Sequence, residues 1–193
     1  MDKRQLHTKE KLKKALIKLM QQHELDDIQV SMLVTEAGCS RATFYNHFSS
    51  IEELLYDIID ETLEEFKIHI RNPYKHLNLV EFTNFPKENV TLFHFLLENR
   101  DLFNVLMKES RTLDLSRFIG DTIEELYVEE YQFRLNNSKV NPRMFNLYAA
   151  NGIAAIILRW METGYKESPE YLAEQAIELL RTSSTGFIYT HNS

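Results

Sequence analysis

Five hydrogen-bonding side chains fall within seven consecutive positions of this chain: Arg41, Thr43, Tyr45, Asn46 and His47. Arginine can donate a bidentate pair to a guanine edge, asparagine can pair with adenine, and threonine can contact a thymine methyl or a phosphate. The chemistry on offer is recognition of a nucleic-acid surface. Catalytic signatures are missing from the sequence, with no Gly-rich phosphate loop, G-x-S-x-G elbow, H-E-x-x-H or C-x-x-C. His94 and Glu98, four apart, are two potential metal ligands without a third. The sequence therefore predicts neither an enzyme nor a bound metal or cofactor.

The elements that would position these side chains lie between Ser31 and Phe48, SMLVTEAGCSRATFYNHF. Met32, Leu33, Val34 and Ala37 form the apolar face of a short helix, which Gly38 ends by taking the left-handed conformation at little cost. Ser40 can cap the next helix by accepting a hydrogen bond from its first turn. Two helices across a short turn containing Gly is the helix-turn-helix pattern, whose second helix enters the DNA major groove. Phe44 and Phe48, four apart, would anchor that helix over roughly 41–48 and leave the five polar side chains outward.

The run from Ala37 to Phe48, followed by Ile51-Glu52-Glu53-Leu54, resembles the DNA-binding domain of TetR-type transcriptional regulators. The likeness extends from about Thr8 to Leu55, and more loosely over the C-terminal helices. It implies that Tyr45 and His47 hold phosphates, fixing register without reading sequence. Gln29 stands where the family commonly has a phosphate-contacting Thr, so Gln29 or Ser31 would donate there. Ile51 replaces a frequent phosphate-binding Lys. Cys39 sits where the family has a small apolar residue and reads as core filler.

Around this centre, residues 1–7 are expected to form a basic arm with Lys3 and Arg4 able to reach phosphates or a minor groove. Thr8 would cap a helix to about Gln22, with Leu12, Ala15, Leu16, Leu19 and Met20 inward and Lys11, Lys14 and Lys18 on a separate stripe. Residues 1–50 carry a net charge of +2 and the remainder −9, within a total of −7. A basic head on an acidic body suits docking on DNA by one end. The S-x-x-E box at Ser50–Glu53 opens a long linking helix that ends before Asn72-Pro73. The single cysteine excludes an intrachain disulfide and fits a cytoplasmic protein. No apolar run reaches the roughly 20 residues of a membrane span, and the charged N-terminus is not a secretory signal.

The expected fold is all-α. Residues 1–50 would form a three-helix helix-turn-helix domain, and 51–193 a helical bundle for effector binding and dimerisation. Residues 74–86 read as a loop with a partial helix, and helices are expected at about 101–109, 114–134 and 143–163, with another from Ser168-Pro169. Aromatic enrichment between Phe82 and Phe103 fits either a pocket or plain core. A small-molecule pocket would draw on Phe93, Phe103, Met107, Phe118, Tyr127, Phe145 and Tyr148. The resemblance implies a homodimer in which the last two long helices pack against their copies. Gly152, Ile153, Ile156, Trp160, Ala173, Ile177 and Leu180 would supply that surface. The leading expectation is a dimeric repressor on a palindromic operator of double-stranded DNA, released by a small-molecule effector. The alternative is a helical co-regulator with weak or no DNA binding, motivated by the modest head charge and by Ile51.

Overall fold

The computed structural model describes residues 3–85, 90–108 and 114–190, without the side chains of Lys3 and Arg4. Its helices are α1 (Lys3–Met20), α2 (Val30–Ala37), α3 (Arg41–Tyr45), α4 (Ile51–Arg71), α5 (Leu92–Glu98), α6 (Arg100–Lys108), α7 (Leu115–Glu129), α8 (Pro142–Glu162) and α9 (Pro169–Arg181). Two single 3-10 turns, Leu25–Asp27 and Phe82–Asn84, and three short strands, β1 (Leu79–Glu81), β2 (Tyr131–Leu135) and β3 (Ser184–Tyr189), complete the described elements. The molecule is mostly helical, as expected.

The local stop and start signals act where they stand in the sequence. Gly38 takes φ 66° and ψ 39° at the end of α2. Ser40 Oγ accepts from Thr43 N at 3.0 Å, Ser50 Oγ from Glu53 N at 3.2 Å, and Asn141 Oδ1 from Arg143 N at 2.9 Å. Each oxygen satisfies a helix N-terminal donor that would otherwise lack a partner. Pro142 and Pro169 occupy first-turn positions, where their missing N–H costs nothing. The linking helix α4 buries Ile51, Leu54, Leu55, Ile58, Ile59, Phe66 and Ile70, with Leu63 half-buried on the same stripe.

Two expectations are corrected. Of the arm expected over 1–7, residues 3–7 are helical, α1 covering Lys3–Met20, so Thr8 lies inside the helix and not at its N-cap; Met1 and Asp2 lie outside the described residues. Residues 3–6 (Lys, Arg, Gln, Leu) are strong helix formers, and their summed propensity carries the helix upstream. The helix expected through 134 ends at Glu129 and gives way to β2. There Gln132 and Arg134 face solvent while Tyr131, Phe133 and Leu135 are buried or half-buried, a period of two that belongs to a strand.

The strands form an antiparallel sheet in the order β1-β3-β2, on which Val80, Phe187 and Phe133 lie in register. Gly186 lies where β3 passes β1; a Cβ there would stand 2.0 Å from the Val80 carbonyl oxygen, so only glycine fits. The inner face of the sheet closes an aromatic cluster in which Tyr74 meets Phe187 edge-on at 4.9 Å and Phe133 meets Phe145 of α8 at 5.0 Å. Beside it, Glu130 accepts from Arg71 Nε at 2.8 Å and from the Tyr189 hydroxyl at 3.0 Å, tying the end of α4 to the sheet.

Candidate nucleic-acid interface

The core of the head is built by Leu12 and Leu16 of α1, Leu33 of α2, Phe44 of α3 and Leu54 of α4, all fully buried. With Phe48 also buried, one face of the recognition helix is fixed to this core. Hydrogen bonds from His47 N and Phe48 N to the Phe44 carbonyl continue the turn beyond Tyr45. The opposite face presents Arg41, Tyr45 and Asn46 to solvent, with Tyr45 57% exposed. Thr43 is half-buried, its hydroxyl 2.8 Å from that of Ser40. His47 is half-buried beside the Phe48 ring.

Gln29 is the N-cap residue of α2 but does not cap it; its Oε1 faces Ser31 Oγ at 3.4 Å. Both polar groups sit where free helix N–H groups attract an anion. Thr8 is half-buried inside α1, and the side chains of Lys3 and Arg4 lie outside the described residues. Cys39 packs against the core, and burial pushes its thiol pKa up, away from reactivity. Ile51 is 7% exposed and belongs to the apolar core, so it offers no cation to phosphate.

Lys11, Lys14 and Lys18 are all exposed, as the stripe requires, and Lys18 is in addition paired with Glu36 of α2. Lys9 and Lys13, which the sequence reading passed over, turn toward α4. Lys13 Nζ lies 2.9 Å from Asp57 Oδ2 and also pairs with Glu61. Burial disfavours the Lys13 charge, but the adjoining Glu61 and Asp57 carboxylates outweigh it and hold the pKa above the ordinary lysine value. The available signal was the 9/13 spacing against 53/57/61, oppositely charged columns with a four-residue repeat.

In the body, the expected pocket-lining residues separate into core and surface. Phe93, Phe103, Tyr127 and Phe145 are buried against other rings: Phe93 meets Trp160 at 5.8 Å and Phe103 meets Phe95 at 5.9 Å. Met107 and Phe118 are half-buried. Tyr148 does not join them; it is 73% exposed on the outer face of α8. The expected dimer residues divide as well. Ile153, Trp160, Ala173 and Ile177 face their own protomer's core, Trp160 donating from Nε1 to the Glu167 carbonyl at 3.0 Å. Gly152 is exposed and Ile156 and Leu180 are half-exposed. Those three join Tyr148 and Leu179 around a shallow apolar depression between α8 and α9. A helix that is apolar nearly all round has to assign its faces, and the inner one is taken by α7 and α6.

Among the described residues no group of carboxylates, histidines or cysteines could hold a metal ion, and no helix is long and apolar enough to cross a membrane. A capped helix-turn-helix whose outer face is polar, carried on a helical body, is the architecture of a DNA-binding transcriptional regulator. Two family models agree with it. Residues 12–66 match the bacterial regulatory proteins of the tetR family, and 84–182 match a transcriptional regulator C-terminal region. The chain belongs to the TetR family of transcriptional regulators.

Over 169 residues the chain is 21% identical to YxbF, an HTH-type transcriptional regulator of Bacillus subtilis strain 168. That match covers 88% of this chain but only 43% of YxbF. The fold is similar to that of the dihydroxyacetone kinase operon activator DhaS, with TM-score 0.62 and 24% identity over 91% of this chain and 94% of that one. It is also similar to a TetR transcriptional regulator from Streptococcus agalactiae 2603V, with TM-score 0.60 and 20% identity over 93% and 96%.

Proposed function

We propose that the chain is a cytoplasmic, homodimeric regulator that reads an inverted-repeat operator, represses transcription there and is released by a small-molecule effector. The observation that carries this reading is the two-faced recognition helix, with Phe44 and Phe48 buried and Arg41, Tyr45 and Asn46 outward. Residues 1–50 form the DNA-binding domain and 51–193 the effector and dimerisation domain. Arg41 and Asn46 read base edges, and Thr43, held by Ser40, meets a thymine methyl or a phosphate. Tyr45, His47, Gln29 and Ser31 fix the register on phosphates, with Thr8, Lys3 and Arg4 of α1 alongside.

The dimer is formed by the outer faces of α8 and α9, where Tyr148, Gly152, Ile156, Leu179 and Leu180 offer a two-fold symmetric apolar surface to a second copy. A Gly152→Arg variant would place charge there without a clash inside the protomer, because the space beside its α-carbon is open. The expected result is a folded monomer in analytical ultracentrifugation; a dimer of unchanged stability would remove this face from the interface. The effector enters the body core beside Met107 and Phe118, the two candidate lining residues left half-buried. Repression is the mode the family resemblance implies, and DhaS, an operon activator, makes activation the outcome that would revise it.

The test is selection of bound sequences from a random duplex pool at physiological salt. An inverted repeat with half-sites one helical turn or its multiple apart is expected. Failure to recover a motif with folded protein would favour the helical co-regulator, a reading that the burial of Ile51 and the Lys18–Glu36 pair also support.

A further inference from the structure

Beside the apolar core that α1 and α4 share, a column of charge runs along the seam between them. Lys9 and Lys13, four apart on α1, face Glu53, Asp57 and Glu61, each four apart on α4. Lys13 is 6% exposed, and its ammonium sits between Asp57 and Glu61. Lys9 Nζ lies 3.6 Å from Asp57 and 5.1 Å over the Phe48 ring at the end of the recognition helix. Glu53 accepts from both the backbone N–H and the hydroxyl of Ser49, the next residue along. One column of carboxylates on α4 therefore holds α1 through two lysines and the exit of the recognition helix through Ser49.

Stability alone does not call for this arrangement. A buried ammonium loses hydration, and a well-packed apolar residue would hold two helices together at least as well. What paired charges add is direction and register: Lys13 meets both carboxylates only when α1 stands at one height and rotation along α4. We infer that Lys13 is a positioning residue for DNA reading, locking the head to the linking helix so that the body sets the separation of the two recognition helices. This rests on the dimeric DNA-binding reading above. Without Lys13, Asp57 and Glu61 repel each other across one turn, and the head is free to rock on its apolar contacts. One base pair of added half-site spacing displaces the second groove by roughly 3.4 Å and rotates it, so a rigid joint discriminates spacing and a loose one does not.

The test uses the selected operator with its half-sites moved one base pair closer or further apart. Wild-type protein should prefer one spacing by about tenfold, and Lys13→Met should reduce this below about threefold without changing affinity for an isolated half-site. Lys13→Arg, which keeps the charge, should restore the preference. A variant that merely unfolds would lose all duplexes alike, and Asp57→Asn/Glu61→Gln, which retains Lys13, provides a second way to open the seam. Tenfold spacing preference in folded Lys13→Met would overturn the assignment.

A second readout needs no DNA. In a Cys39→Ser background, spin labels at Gln21→Cys in the head and Lys139→Cys in the body, diluted with unlabelled protein, report the joint directly. A narrow distance distribution that broadens in Lys13→Met supports the lock, and an unchanged width overturns it. If the wild type selects no motif, the DNA-reading proposal fails, while the label widths still decide the role of Lys13.

Discussion

The two ends of α4 are fastened by different means. Its N-terminal half meets α1 through the Lys9/Lys13–Asp57/Glu61 charges at the edge of the head core. Its C-terminal end runs into stacked rings, with Tyr131 donating to the Ile70 carbonyl at 3.3 Å and Arg71 held by Glu130. A charged seam tolerates water and depends on geometry, whereas an aromatic cluster derives its strength from apolar area removed from water. The head is therefore built to be set at an angle, and the body to keep its shape.

Deep truncations should break the comparison most. Phe44→Ala removes a fully buried ring and is expected to cost about 3–5 kcal/mol. Thermal melts followed at Tyr and Trp should then show the head failing first, with DNA binding lost; one unchanged transition would mean that head and body melt as a unit. Arg41→Ala or Asn46→Ala should leave stability intact and cost roughly 1–3 kcal/mol on the selected operator while relaxing base choice. Equal losses on random DNA in a titration would deny either residue a base-reading role.

Glu130→Gln leaves Arg71 without its carboxylate and should lower body stability by about 1–3 kcal/mol. Chemical denaturation should register this with head-only DNA contacts preserved, and an unchanged midpoint would make the bridge ornamental. The smallest effect concerns His69 of α4, whose ring stacks on Phe95 at 4.6 Å and whose Nδ1 is 2.8 Å from Thr91 Oγ1. Burial lowers its pKa below the ordinary 6.5, and the nearby Glu65 and Glu98 only partly offset this. The unfolded chain then binds the proton more readily, so stability should fall as pH drops below about 6.5 toward the lowered folded value. His69→Gln should flatten that limb in pH-dependent melts, and an unaltered limb would assign the acid sensitivity to other groups.

The head was legible in the sequence because its signals are local. Gly38, Ser40, Ser50 and the Phe44/Phe48 pair each act within one or two turns of themselves, and each stands in the structure as the sequence predicts. The charged seam was missed because only Lys11, Lys14 and Lys18 entered the expected stripe, and Lys9 and Lys13 were left unassigned although Lys13 lies on the apolar side beside Leu12 and Leu16. In the body, the sheet joins segments near 80, 133 and 187, and no local pattern announces such pairing. The outward face of α8 was misjudged for a related reason. In a helix apolar nearly all round, periodicity cannot decide which side its own protomer takes, and Trp160 and Ile153 went inward while Tyr148 went out.

The strand order has a consequence for biogenesis. β3, the third of the described strands in chain order, lies between β1 and β2, so neither earlier strand has its neighbour until Tyr189 has emerged from the ribosome. The helix-turn-helix contains all its own core residues before position 60 and can be complete much earlier. A nascent chain would thus display a finished DNA-reading surface on a body whose aromatic interior is still open, a window in which chaperones, and not operators, are the productive encounter.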